Sequence, residues 1–171
     1  MHFTISPANL SDAAELDRLV NAAYRGDSSR QGWTTEADLL DGTRTEISVI
    51  EETLRKPGSM ILKYVEDGKI QGCMELRNEG AKLYLGMLTV LPNLQGKGIG
   101  KELLKAAETE AKKQNCNSIH MTVISVRTEL IDWYVRHGYE KGGLKPFNIP
   151  DDRFGLPKKQ LEFLSLEKKI A

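Results

Sequence analysis

This sequence of 171 residues lacks an excess of charge of one sign, a long apolar run and a signal peptide, and each absence excludes a class of protein. Lysine and arginine together number 24, as do aspartate and glutamate, so the formal net charge is zero. Without a basic surplus, we expect no nucleic-acid partner. No apolar run has the length that a bilayer demands, so we expect no membrane partner. Residues 1–5 lack the charged flank and the long apolar core of a signal peptide, and they are predicted to be a first strand.

Cysteine and histidine are scarce as well, with two and three residues. Cys73 and Cys116 lie in apolar contexts, which favours a reduced pair in the cytoplasm over a disulfide. The histidines and cysteines are scattered without the spacing of metal ligands, so no metal site is predicted. The length suits one domain, residues 1–171, with a sizeable core.

What the sequence does contain is a glycine-rich segment between a strand and a helix. Residues 83–91 are an apolar, strand-like run, and residues 99–115 are amphipathic. Between them lies Gln95-Gly96-Lys97-Gly98-Ile99-Gly100. Glycines let the chain bend tightly and let an anion approach the unpaired N–H groups of a helix start. The segment therefore predicts a phosphate or pyrophosphate site.

The spacing of the glycines excludes two phosphate-binding motifs. Lys101 follows Gly96 by five positions, which does not fit a P-loop. The Gly-x-Gly-x-Gly spacing also differs from the Gly-x-Gly-x-x-Gly of dinucleotide-binding folds. What remains is Gln-x-x-Gly-x-Gly, with Val90 and Pro92 upstream. A glycine-rich turn that binds no ligand is the alternative.

A second pattern lies downstream of the glycines. Residues 118–125 alternate as in a strand, and residues 127–137 repeat apolar side chains at helical spacing. Gly138 is placed to end that helix in a left-handed conformation. The helix thus closes with Tyr134-Val135-Arg136-His137-Gly138-Tyr139.

Together these two patterns, over residues 83–139, resemble the GNAT superfamily of N-acetyltransferases. The resemblance implies an acyltransferase that moves an acetyl group from acetyl-CoA to a primary amine of a small molecule or peptide. The amine attacks the thioester directly, and no metal takes part. Small members of the superfamily are often dimers, so a homodimer is left open.

The resemblance also implies where coenzyme A binds. Backbone groups of the fourth strand of the sheet hold the pantetheine arm and polarise the thioester, and by position they belong to Leu88, Thr89 and Val90. The phosphates bind along the loop and helix start, at Gln95, Gly96, Lys97, Gly98, Ile99, Gly100 and Lys101. Gly86, inside the strand, marks either a bulge or close packing.

Tyr134 aligns with the tyrosine that acts in this superfamily as general acid toward the sulfur of coenzyme A. The alternative is an aromatic anchor for a short helix, and the neighbouring Trp133 is predicted to belong to the core or an interface. Glu75, in the third strand, is the candidate general base, with a water relay as alternative. Arg127 replaces the usual asparagine and is expected to be solvated or to reach a phosphate. Arg127 alone favours a non-catalytic acyl-CoA-binding sensor or interaction module.

The acceptor pocket is expected near the N-terminal helices, which shape it in this superfamily. Trp33, Thr34 and Glu36 supply an aromatic wall and a carboxylate for a cationic amine. Glu36 is also a second candidate base. An ordinary loop with a core tryptophan is the alternative, and the identity of the amine stays open.

The remaining pattern predicts an α/β fold with a mixed sheet. Its N-terminal strands are antiparallel, the fourth and fifth are splayed, and helices flank the sheet. Asp67-Gly68 predicts a hairpin, and Ser11 or Asp12 is the expected cap of the first helix. Strands are predicted at 3–6, 59–66, 69–77, 83–91, 118–125 and 160–167, and further helices at 45–54, 99–115 and 127–137.

Overall fold

The computed structural model describes residues 2–24, 40–41, 45–146, 156–157 and 162–170 of the chain. The helices are α1 (Ala13–Tyr24), α2 (Ile47–Arg55), α3 (Ile99–Lys113) and α4 (Thr128–Arg136). The strands are β1 (Phe3–Pro7), β2 (Leu40–Asp41), β3 (Ser59–Glu66), β4 (Lys69–Asn78), β5 (Lys82–Val90), β6 (Ser118–Ile124), β7 (Glu140–Pro146), β8 (Leu156–Pro157) and β9 (Glu162–Lys169). No described helix is long and apolar enough to cross a membrane.

The main sheet has the order β1-β3-β4-β5-β6-β9-β7, and β2 pairs with β8 separately. Neighbours from β1 to β5 are antiparallel, β5 and β6 are parallel, and β9 runs antiparallel to both β6 and β7. The predicted mixed sheet with antiparallel N-terminal strands is confirmed.

The parallel pair β5 and β6 is hydrogen-bonded over a short distance only. The aligned residues are Lys82–Tyr84 in β5 and Ser118–His120 in β6. Beyond them β5 runs on to Val90, while β6 runs on to Ile124 beside β9. The two strands therefore diverge and leave a wedge-shaped gap. This agrees with the predicted splaying of the fourth and fifth strands, which are β5 and β6 here.

A bulge in β5 lies beside this gap. Glu75 of β4 is aligned with Gly86, and Cys73 with Thr89, so β5 carries one extra residue. Met87 takes the left-handed conformation, with φ of 55°. A Cβ on Gly86 would lie 2.7 Å from the ring of Tyr84. Gly86 is thus required by close packing, and the bulge begins at the next residue.

Helices cover both faces of the sheet. One cluster of buried side chains joins α3 and α4 to the sheet and includes Met74 and Leu76. The other joins α1 and α2 to the opposite face and includes Cys73. Because strand side chains alternate between faces, Glu75 belongs to the face of α1.

Two predictions about these elements were wrong or incomplete. A 3-10 turn, Leu10–Asp12, leads directly into α1, and its cap is Asn9 rather than the predicted Ser11 or Asp12. The side chain of Asn9 accepts a bond from the N–H of Ser11 at 3.0 Å. The carboxylate of Asp12 accepts one from the N–H of Asn9 at 2.9 Å, which completes a capping box. Strand β7 was missed because all of its residues are exposed and no apolar alternation marks it.

Replacing the observed cap provides a test of this local structure. We expect Asn9→Ala to lower the free energy of unfolding by about 1 kcal/mol, because a helix-start N–H loses its acceptor. Ser11→Ala should cost less, since its backbone N–H keeps the bond to Asn9. Urea denaturation of both variants measures the difference, and a larger loss in Ser11→Ala would contradict the assignment.

Candidate active site

A cavity of about 370 Å³ lies between the glycine-rich segment and α4. Strand β5, the loop, the start of α3 and one side of α4 form its walls. The lining residues are Leu88, Val90, Gln95, Gly96, Gly98, Ile99, Gly100, Lys101, Leu130, Trp133, Arg136 and His137. The cavity thus contains most of the residues predicted for coenzyme A.

Two of the glycines expose backbone to this cavity. Gly96 and Gly98 have φ of 85° and 89°, which L side chains rarely adopt, and a Cβ on either would meet open space. Gly98 is also the N-cap of α3, and it supplies no capping side chain. The helix start therefore offers backbone N–H groups and a positive dipole end to an anion.

Gly100 meets a different requirement. A Cβ at this position would lie 3.1 Å from the ring of Trp133. The glycine lets α4 approach the start of α3, so that the indole closes one side of the cavity. Trp133 was predicted to be core or interface, and it does pack against the core while also lining the cavity.

Of the predicted coenzyme A residues, Thr89 and Lys97 do not line the cavity, whereas Gln95 does. Gln95 Nε2 donates to the carbonyl of Val90 at 3.2 Å, which ties the loop to β5. Thr89 is buried, and its hydroxyl donates to the carbonyl of Met87 within the bulge at 2.7 Å. Lys97 is exposed in the loop.

Four cavity residues were not predicted as binding residues: Leu130, Trp133, Arg136 and His137. Leu130, Trp133 and His137 are spaced by three and four, so they share one face of α4. That spacing is a signal which the sequence does contain. Nδ1 of His137, the C-cap residue of α4, also lies 2.7 Å from the carbonyl of Trp133.

Tyr134 lies on the inner side of α4, with 4% of its surface exposed. Its ring makes edge contacts with Trp133 and Tyr139, at centroid distances of 5.1 and 5.7 Å. Burial, with a smaller effect of the phenol of Tyr24, raises the pKa of Tyr134 well above its usual value, although Arg127 acts in the opposite direction. Tyr134 is therefore a protonated phenol at neutral pH.

Arg127 is buried, so the expectation that it is solvated was wrong. Its exposed fraction is 5%, and its guanidinium carbon lies 5.8 Å from the centroid of the Tyr24 ring. The hydroxyl of Tyr24 in turn donates to the carbonyl of Leu88 at 2.6 Å. These contacts join α1, α4 and β5, elements far apart in sequence, so no local pattern could have revealed them.

Glu75 lies on the sheet face of α1, opposite the cavity. Its side chain is 19% exposed, and one carboxylate oxygen is 3.7 Å from Nη1 of Arg77. Arg77 also pairs with Glu79 at 3.2 Å and covers the ring of Tyr84 at 4.3 Å. Glu75 therefore belongs to a charged surface beside the bulge.

The predicted acceptor residues Trp33, Thr34 and Glu36 lie outside the described residues, so their role stays a prediction. Among the residues that are described, no group of three or more His, Cys, Asp or Glu side chains is arranged to hold a metal ion.

Comparison with known proteins identifies the class of this fold and site. A model of the acetyltransferase (GNAT) family matches residues 16–139. Since this match spans more than half of the chain, the protein belongs to the GNAT family of acetyltransferases. Enzymes of this family take the acetyl group from acetyl-CoA.

Two relatives support this membership. The uncharacterized N-acetyltransferase YjhQ of Escherichia coli is 26% identical over 165 residues, or 88% of this chain and 80% of that protein. An amino-acid acetyltransferase of Ralstonia nicotianae is 33% identical over 107 residues, or 61% of this chain and 22% of that protein.

Solved structures show the same fold. The ribosomal-protein-S18-alanine N-acetyltransferase of Escherichia coli has a TM-score of 0.77 at 13% identity, covering 99% of this chain and 95% of that one. YncA of Salmonella typhimurium, solved with its cofactor acetyl-CoA, has a TM-score of 0.73 at 19% identity, covering 100% and 95%.

The burial of Tyr134 predicts how stability depends on alkaline pH. Its raised pKa means that the folded state holds the phenolic proton more tightly than the unfolded state. The contribution of this group to the free energy of unfolding is fully present below the pKa of the phenol in the unfolded state, about 10, and is lost as the pH rises above that value. Between about pH 9 and 11, we expect the free energy of unfolding to fall less in Tyr134→Phe than in the wild type. Urea denaturation at several pH values measures this difference. Identical slopes would show that the phenol titrates normally.

Proposed function

We propose that this protein is an N-acetyltransferase that binds acetyl-CoA in the cavity and transfers its acetyl group to a primary amine of a small molecule or peptide. One observation carries the proposal: the open backbone at Gly96 and Gly98 lines the same cavity as α4, the helix that holds the buried phenol of Tyr134. Acetyl transfer from acetyl-CoA uses both groups, because the phosphate site binds the coenzyme and the proton donor protonates the departing thiolate.

The cavity provides for each part of acetyl-CoA. The glycine backbone and the N-terminus of α3 accept the pyrophosphate, and Lys101 and Arg136 add positive charge at the rim. The pantetheine arm follows β5 at Leu88 and Val90 toward the gap between β5 and β6. Its thioester then reaches the bulge.

The proposed reaction crosses the sheet through this gap. The neutral amine attacks the thioester carbonyl, so that a C–N bond forms and the C–S bond breaks. The N–H of Leu88 donates to the developing oxyanion, a contact that supplies about 3 kcal/mol in other enzymes. Tyr134 gives its proton to the departing thiolate, and the proton lost by the amine passes to Glu75, directly or through water.

The acceptor is proposed to approach from the face of α1, opposite the coenzyme. Glu75 lies on that face, and Trp33, Thr34 and Glu36 follow α1 in the sequence. The names of the similar proteins include an amino acid and the alanine of a ribosomal protein as acceptors. These names support a small or peptide amine without choosing between them.

An amine panel tests the proposed activity. We expect release of the coenzyme A thiol from acetyl-CoA in the presence of at least one amino acid, polyamine, aminoglycoside or peptide. Gly98→Glu should abolish both turnover and calorimetric binding of acetyl-CoA, because it places a carboxylate at the anion site. Gly80→Glu is the matched control, since Gly80 has φ of 85° and equally open space but lies outside the cavity.

Three results would count against the proposal in different ways. Unchanged affinity in Gly98→Glu would remove the phosphate site. Equal losses in Gly98→Glu and Gly80→Glu would indicate backbone strain. Tight binding with no turnover across the panel would favour the non-catalytic acyl-CoA-binding module.

A conservative variant tests the proton donor. Tyr134→Phe keeps the buried ring and removes only the hydroxyl. A positioned acid contributes about 100-fold or more to the rate, so kcat should fall by that amount while the affinity for acetyl-CoA stays nearly unchanged. Steady-state kinetics across pH measure the effect. Near-normal turnover, with chemistry rate-limiting, would make Tyr134 a packing anchor.

A further inference from the structure

The edge of β5 that faces the gap carries polar backbone groups. The N–H of Leu91 bonds to the carbonyl of Gln71 at 3.0 Å, so the backbone of Leu91 is directed toward the β4 side. Backbone groups of successive residues alternate between the two edges of a strand. Those of Leu88 and Val90 therefore face β6, whose pairing with β5 has already ended at Tyr84.

Side chains make the bonds that β6 would make in a regular sheet. Gln95 donates to the carbonyl of Val90 at 3.2 Å, and Tyr24 donates to the carbonyl of Leu88 at 2.6 Å. Gln95 comes from the glycine-rich segment. Tyr24 is the last residue of α1, on the opposite face of the sheet. Each face thus contributes one side chain to the diverging edge.

The ring of Tyr24 is held from the far side of the gap. Arg127, at the N-cap of α4, covers it with a centroid distance of 5.8 Å and is itself buried. A planar guanidinium over an aromatic face is attractive and fixes the orientation of the ring. The phenol of Tyr24 therefore bridges three elements, α1, β5 and α4.

We infer that Tyr24 is a positioning residue for acetyl transfer. Its hydroxyl holds the carbonyl of Leu88 and so fixes the peptide units on either side of that residue. The N–H of Leu88 belongs to the same bulge, which begins at the left-handed Met87 and would be deformable without a neighbouring strand. The inference rests on the proposed function, because Leu88 acts there as the oxyanion donor.

Tyr24→Phe tests this role, since it keeps the ring beneath Arg127 and removes only the donor. We expect kcat to fall about five- to tenfold, the effect of one lost hydrogen bond. The calorimetric affinity for coenzyme A without its acetyl group should stay unchanged, because the glycine segment is untouched.

The matched control is Tyr64→Phe. Tyr64 is a buried tyrosine whose hydroxyl donates to Glu66 at 3.3 Å, in β3 and away from the gap. We expect its kcat to remain that of the wild type. A wild-type kcat in Tyr24→Phe, or an equal fall in both variants with a matching loss of thermal stability, would overturn the positioning role.

Amide hydrogen exchange separates this inference from the proposed function. The amide of Thr89 shares a peptide unit with the Leu88 carbonyl that accepts from Tyr24, and Thr89 is aligned with Cys73 of β4. This amide should exchange about five- to tenfold faster in Tyr24→Phe than in the wild type, while amides of β3 stay unchanged. This readout needs no turnover, so it decides the point even if no amine in the panel is acetylated. Unchanged exchange at Thr89 would show that the hydroxyl does not hold the bulge.

Discussion

The divergence of β5 and β6 after Tyr84 and His120 is the constraint on which the rest of this structure depends. In a continuous sheet, β6 would cover the edge of β5 and close the passage between the two faces. Because the ladder stops, the polar backbone of Leu88 and Val90 is directed into a gap, where it has to be bonded or solvated. A cavity on one face and a charged surface on the other can then meet at this gap.

Three features of the structure keep β5 and β6 apart. The extra residue at Met87 bends β5 away from its regular course. Tyr24 and Gln95 bond to the edge from opposite faces. Helix α4 follows β6 in the sequence and buries Tyr134 in the core cluster against which Leu88 and Val90 of β5 also pack. The position that the proposed chemistry needs is thus produced by the same packing that stabilises the fold.

The sequence predicted what is locally encoded and missed what is assembled over long distances. The glycine segment and the Tyr134-to-Tyr139 pattern act through backbone conformation and helical periodicity, so they could be recognised from residue order. The burial of Arg127 and the bond from Tyr24 depend on where α1 meets α4, which residue order does not reveal. Strand β7 was missed for a related reason: it is the edge strand beyond β9 and all of its residues are exposed, so no alternation of apolar residues marks it.

The position of Arg127 also bears on the choice between an enzyme and a binding module. In the sequence, an arginine in place of the usual asparagine argued for binding without catalysis. In the structure its guanidinium is buried, and it opposes the effect of burial on the pKa of Tyr134. A fixed positive charge near a phenol stabilises the phenolate that remains once the proton has been given to a thiolate. The substitution is therefore compatible with the proton donor proposed at Tyr134.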